Sequence, residues 1–152
     1  MTGILLTPRA LDEALAARRD HPGTQLIAGG TDVVADLNRG AAPAGFLSLR
    51  GVSELRGIDF REGQWRLGAM ATVADLRADD TLCAANTAVG QATRALGSRQ
   101  IRNRATLGGN ICGGGAQRTL IPMLLAQDAA VDVVVPAHDE LRRTAVAGIA
   151  RP

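Results

Sequence analysis

The sequence predicts an α+β protein of two lobes that meet near residues 50–56. Three observations carry that expectation. The first fifty residues alternate helix-like and strand-like segments, which suggests a small lobe with parallel pairing. Near Gly51 the texture changes to a hairpin followed by helices. Neither an internal repeat nor a low-complexity linker separates the two parts. The boundaries expected are 1–55 for the first lobe and 56–152 for the second.

The elements follow in order. Thr7 and Pro8 offer a hydroxyl N-cap and a proline at the first helical position. Leu11 and Leu15 then form an i,i+4 apolar stripe, and His21, Pro22 and Gly23 end the helix. Residues 25–28 form a short apolar strand, broken by Gly29 and Gly30. Thr31 and Asp32 start a second helix that runs to about Asn38, and residues 45–49 form another strand. Strand-like residues 57–60 and 64–69 flank Arg61, Glu62 and Gly63, a hairpin turn. Thr72 and Asp75 have capping-box spacing. One helix is expected over residues 82–96, with Leu82, Ala85, Val89, Ala92 and Leu96 on one face and Gly97 as its stop. Residues 98–115 carry no periodicity and read as a long loop. Residues 120–126 are helical and 130–135 form a β-branched strand.

Composition excludes several classes of function. The chain has 152 residues, 46% hydrophobic and 21% charged, so it can bury a core and is not a disordered chain. Seventeen basic residues against fifteen acidic leave an excess too small to argue for nucleic acid or an anionic membrane. All the basic residues are arginine, which reflects base composition across the chain and bidentate anion contacts only at particular positions. With 2% aromatic residues there is almost no platform for stacking bases. Cys83 and Cys112 lie far apart outside any C-x-x-C pattern, so no metal or iron–sulfur site held by this chain alone is expected. No segment approaches the ~20 apolar residues of a membrane span, and a cytoplasmic location is expected. The internal HDEL at residues 138–141 cannot act as a C-terminal retention signal.

Two glycine-rich segments stand out. In the first, Leu26, Ile27 and Ala28 lead through Gly29 and Gly30 to Thr31 and Asp32. A strand running into glycines and a helix N-terminus aims free N–H groups and a positive dipole end at one spot, which suits a pyrophosphate. The same residues also fit an ordinary strand-to-helix turn capped by Thr31 or Asp32. This is not the G-x-G-x-x-G fingerprint. The second segment is residues 97–110, with Thr106 and Asn110 as polar groups, Gly108 and Gly109 for close approach, and Gly113, Gly114 and Gly115 just beyond. Arg99, Arg102 and Arg104 read as solvated surface or as salt bridges between lobes.

Together these segments resemble the flavin subunits of the molybdenum hydroxylases, such as xanthine dehydrogenase and carbon monoxide dehydrogenase. That family carries an AGGTD-like turn, an IGAM-T-T-like stretch matched by residues 67–72, and a GS-x-QIRN-x-AT-x-GGN run matched by residues 97–110. The resemblance covers essentially the whole chain. It implies the two-lobed FAD-binding fold of the vanillyl-alcohol oxidase / molybdopterin dehydrogenase type, with FAD as cofactor. It implies that Ile27, Ala28, Gly29, Gly30, Thr31 and Asp32 hold the pyrophosphate. Thr106, Gly109 and Asn110 would hold the other side of the FAD, with Gly108 permitting approach. Leu96 and Gly97 would pass near the isoalloxazine ring. Thr119 stands where the family usually has an aspartate for the sugar or ribityl hydroxyls, so charge assistance is lost there.

The implied partners are a molybdopterin-binding large subunit and a 2Fe-2S small subunit, with NAD or another acceptor taking the electrons. No catalytic acid or base is then needed, and His21 and His138 are expected at the surface. Family members run well beyond Pro152, so the chain is expected to be a front portion or a split subunit. Two other readings are a flavoenzyme like UDP-N-acetylenolpyruvoylglucosamine reductase and an interaction module that no longer holds flavin.

Overall fold

The computed structural model describes residues 3–113, 118–135 and 140–146. Its first part is a three-stranded parallel sheet of β1 (Ile4–Leu6), β2 (Gln25–Ile27) and β3 (Gly45–Ser48), in the order β1-β3-β2. Helix α1 (Leu11–Asp20) connects β1 to β2, and α2 (Thr31–Asn38) connects β2 to β3. β3 is central, with Leu6 beside Leu47 on one side and Ile27 beside Ser48 on the other. Leu47 is wholly buried there, in the middle strand. Strand β1 is an addition to the expected elements, since a three-residue apolar run is too short to show a period.

Thr7 and Pro8 do not open α1. The helix starts at Leu11 with Ala10 as N-cap and no side-chain cap bond. Tertiary contacts outweigh the local signal. The Pro8 carbonyl packs against Gly51, where an added Cβ would lie 2.6 Å from its oxygen. The Leu11 N–H donates to Glu54 Oε1 at 3.0 Å, which substitutes for the missing cap.

Two 3-10 turns, Leu49–Gly51 and Ser53–Leu55, lead out of the sheet. The antiparallel hairpin β4 (Ile58–Arg61) and β5 (Gln64–Leu67) turns at Glu62 and Gly63, both at positive φ. Phe60 and Trp65 face each other across it with ring centroids 5.2 Å apart. Helix α3 (Val73–Ala78) has the full capping box: the Asp75 N–H donates to Thr72 Oγ1 and the Thr72 N–H to Asp75 Oδ2.

The single helix expected over 82–96 is two, α4 (Asp80–Ala85) and α5 (Thr87–Ala95). They break at Asn86, which is extended and whose Nδ2 donates to Gln127 Oε1 at 2.8 Å. Ala85 is therefore exposed, while Leu82, Val89 and Leu96 stay buried. Gly97, at φ +48°, stops α5 as expected.

Residues 98–115 are not a plain loop. They contain α6 (Arg99–Arg102) and α7 (Leu107–Cys112), each opened by a hydroxyl cap, from Ser98 and Thr106. Gly114 and Gly115 lie outside the described residues, as does His138. Helix α8 (Ile121–Ala126) and the antiparallel pair β6 (Ala130–Val135) and β7 (Glu140–Ala145) follow among the described residues. The main buried cluster draws on residues 71–146, including Val73, Leu76, Leu82, Val89, Leu107, Leu120 and Val146. The fold is α+β, with a parallel sheet first and antiparallel hairpins after it.

Candidate functional site

The first glycine segment is a strand-to-helix step without a cap. Gly30 is the N-cap of α2 at φ +81°, ψ 0°, and no side chain bonds the first turn. Neither Thr31 nor Asp32 caps the helix, because both already lie inside it. The first amides of an α-helix have no acceptor within the helix. The first amide bonded back along this turn is that of Val34, to the Gly30 carbonyl at 2.9 Å. Gly30, Thr31, Asp32 and Val33 thus present N–H groups together with the positive end of the helix dipole. A left-handed Gly30 costs little, whereas a residue with Cβ would be strained there.

The structure brings the second segment against this step. A Cβ on Gly29 would lie 2.7 Å from the Arg104 carbonyl carbon and closer still to its oxygen. Gly29 is therefore glycine because the backbone at 104–105 lies directly on it. Arg104 Nε donates to the Gly29 carbonyl at 3.4 Å, across 75 residues of sequence. A second junction sets Asp32 beside Gly113, whose added Cβ would lie 2.8 Å from Asp32 Oδ2.

The N-terminus of α7 is filled by the protein itself. The Leu107 N–H donates to the Ala71 carbonyl at 2.9 Å and the Gly108 N–H to the Ala69 carbonyl at 2.8 Å. The Gly109 N–H donates to Thr106 Oγ1 at 3.1 Å. Asn110 uses its N–H on the Thr106 carbonyl and its Oδ1 on the Leu120 N–H at 3.0 Å. With the Thr72–Thr106 bridge, these bonds stitch residues 69–73 to 105–108. Gly108 admits Ala69, 3.0 Å from where its Cβ would stand, whereas Gly109 would meet only the Thr106 hydroxyl. At Gly109 the space is bounded by a side-chain hydroxyl and not by backbone.

Leu96 and Gly97 are held by an arginine that the sequence reading assigned to surface or salt bridges. Arg102 Nη1 donates to the Leu96 carbonyl at 3.1 Å and to the Gly97 carbonyl at 2.7 Å. Thr119 is half-buried in the turn before Leu120, one residue from the N–H that Asn110 accepts. The roles of Arg102 and Arg104 were missed because their acceptors are backbone carbonyls, which carry no sequence signal. His21 is exposed. Among the described residues no group of three or more His, Cys, Asp or Glu is placed to hold a metal, and no helix is long and apolar enough to cross a membrane.

Residues 2–147 match the family model described as FAD binding domain in molybdopterin dehydrogenase. The chain is 33% identical over 128 residues to the xanthine dehydrogenase FAD-binding subunit of Escherichia coli O157:H7, covering 83% of this chain and 44% of that protein. It is 33% identical over 108 residues to the nicotinate dehydrogenase FAD-subunit of Eubacterium barkeri, covering 68% of this chain and 36% of that one. Carbon monoxide dehydrogenase from Hydrogenophaga pseudoflava, in a form lacking the Mo-pyranopterin moiety, superposes with a TM-score of 0.90 at 25% identity. That match covers 97% of this chain and 52% of the other. The chain spans less than half the length of these curated relatives.

Proposed function

The chain belongs to the family of FAD binding domains of molybdopterin dehydrogenases, and from that premise we propose that it holds the flavin of an electron-transfer subunit. The observation that carries this reading is the uncapped α2 start, with first-turn amides open behind two glycines. The rest of the candidate site is locked onto that start through Gly29 and Arg104. A diphosphate fits there by charge and by hydrogen-bond count.

On this reading Gly29, Gly30, Thr31 and Asp32 present backbone N–H groups to the pyrophosphate, with the Thr31 hydroxyl beside them. Ile27 and Ala28 bring the chain to that step. Gly109 and the remaining donors of Thr106 and Asn110 border the other side. Leu96 and Gly97, fixed by Arg102, shape the path of the ring, and Thr119 offers a neutral hydroxyl. Residues 1–55 and 56–152 are read as the two lobes between which the cofactor lies. Bound FAD would supply reversible electron storage. The chain's own contribution is to place it and to shield it, with no acid or base required.

The activity of the whole protein is also part of the proposal. Electrons would arrive from an iron–sulfur partner served by a molybdopterin subunit and leave to NAD or another acceptor. The test is reconstitution of the purified protein with FAD, read as retained visible flavin absorbance after gel filtration. Stoichiometric retention supports the reading. A folded protein that stays colourless overturns it. Copurification with a molybdopterin subunit and an iron–sulfur subunit tests the partners separately.

A further inference from the structure

A cleft of about 400 Å³ opens at the carboxyl ends of β1 and β3, lined by Thr7, Arg9, Ser48, Arg50 and Gly51. Ligands of open parallel sheets bind beyond the carboxyl ends of the strands. The flavin reading makes no use of it. Ser48 pairs in register with Ile27, so the cleft shares a sheet edge with the α2 start but lies toward β1.

Its walls are braced by the protein. The Pro8 carbonyl packs on Gly51. Arg56 Nη2 donates to the Arg50 carbonyl at 2.7 Å, and Ser48 Oγ accepts from the Arg50 N–H. Two carboxylates stand nearby, each held in place by hydrogen bonds. Glu13 Oε2 accepts from the Arg9 N–H at 2.8 Å. Glu54 accepts from the Leu11 N–H and the Ser53 hydroxyl. The Leu11 N–H, first among these bonds, holds the Glu54 carboxyl below its ordinary range. Arg9 and Arg50 both line the cleft, and among the described residues neither forms an ion pair.

We propose that this cleft binds the phosphoryl group of a small molecule. Two guanidinium groups match the charge of a phosphate dianion, and their planar forks suit its oxygens. The hydroxyls of Thr7 and Ser48 add donors beyond what the two oxygens of a carboxylate can use, whereas a phosphoryl group offers three.

The test is an amide NMR titration of the intact protein with inorganic phosphate, with acetate as a parallel arm. The double variant Arg9→Gln/Arg50→Gln is titrated in the same way. Phosphate is expected to shift the amides of Arg9, Ser48, Arg50 and Gly51, and to bind at least about tenfold more weakly to the variant. FAD content is expected to be the same in both, which separates this site from the flavin reading. Shifts confined to Thr31 and Asp32, or equal affinity in the variant, would overturn the proposal. Acetate binding as tightly as phosphate would overturn the phosphoryl assignment.

Discussion

Gly29→Ala places a methyl group where the backbone of another segment already lies. The new Cβ would stand 2.7 Å from the Arg104 carbonyl carbon, against the ~3.5 Å at which carbons normally touch. The obstacle is main chain, so no rotamer change relieves it. Either the α2 start or the 104–105 backbone must move by roughly 1 Å. Overpacking of this kind costs ~1–3 kcal/mol, and a backbone obstacle belongs at the upper end. For a chain of this size, ~3 kcal/mol lowers the melting temperature by roughly 6–12 °C. The shift would also part the two segments that border the proposed flavin site, so flavin retention should fall together with stability. Gly23→Ala is the matched control, because nothing lies within 4 Å of its added Cβ. Thermal unfolding followed by circular dichroism, with flavin content measured on the same samples, decides the matter. An unchanged melting temperature for Gly29→Ala would refute the close packing, and normal flavin content would refute the role of that junction in the site.

Gly109→Val should abolish flavin uptake, since its branched side chain would press on Thr106 Oγ1, 2.9 Å from the added Cβ, and occupy the proposed approach path. Equilibrium dialysis with FAD checks it, and wild-type uptake counts against the assignment. Thr72→Ala removes one half of the capping box and should cost ~1 kcal/mol by urea denaturation. The Arg143 hydrogen bond holds the Asp132 carboxyl below its ordinary range. Asp132 faces Arg143 directly across β6 and β7. The stabilisation from this pair is therefore present above the usual aspartate value and fades as pH falls through the lowered one, below about pH 4. Because the pair is largely exposed, Asp132→Asn should cost little at pH 7 and less still as pH falls below about 4, as stability measured against pH would show.

Much of the fold was legible because its signals are local. The β2 strand, the glycine step and α2 follow from apolar spacing and two glycines, as the hairpin at Glu62 and Gly63 follows from its turn residues. The capping box at Thr72 and Asp75 was readable residue by residue. The run at 97–110, read with the turn at 27–32, was enough to point to the family, because backbone contacts of this kind constrain which residues a position tolerates. Local rules misplaced the start of α1, where Glu54 from 43 residues away substitutes for a cap. They also fused α4 and α5, which a side-chain bond from Asn86 to Gln127 separates.

What the sequence by itself determined is part of the set of elements, among them β2, α2 and the β4–β5 hairpin, and the glycine step that joins β2 to α2. Only the tertiary structure decided which surfaces meet. Gly29 could be a turn glycine or a contact glycine, and the Arg104 backbone lying on it settles the choice. Gly108 and Gly109 look equivalent in sequence, yet Ala69 lies against one and the Thr106 hydroxyl against the other. Arg102 and Arg104 are two charges in a loop until the fold sets carbonyl oxygens in front of them. A carbonyl belongs to every residue, so its position is written in the packing of the chain and in no residue type.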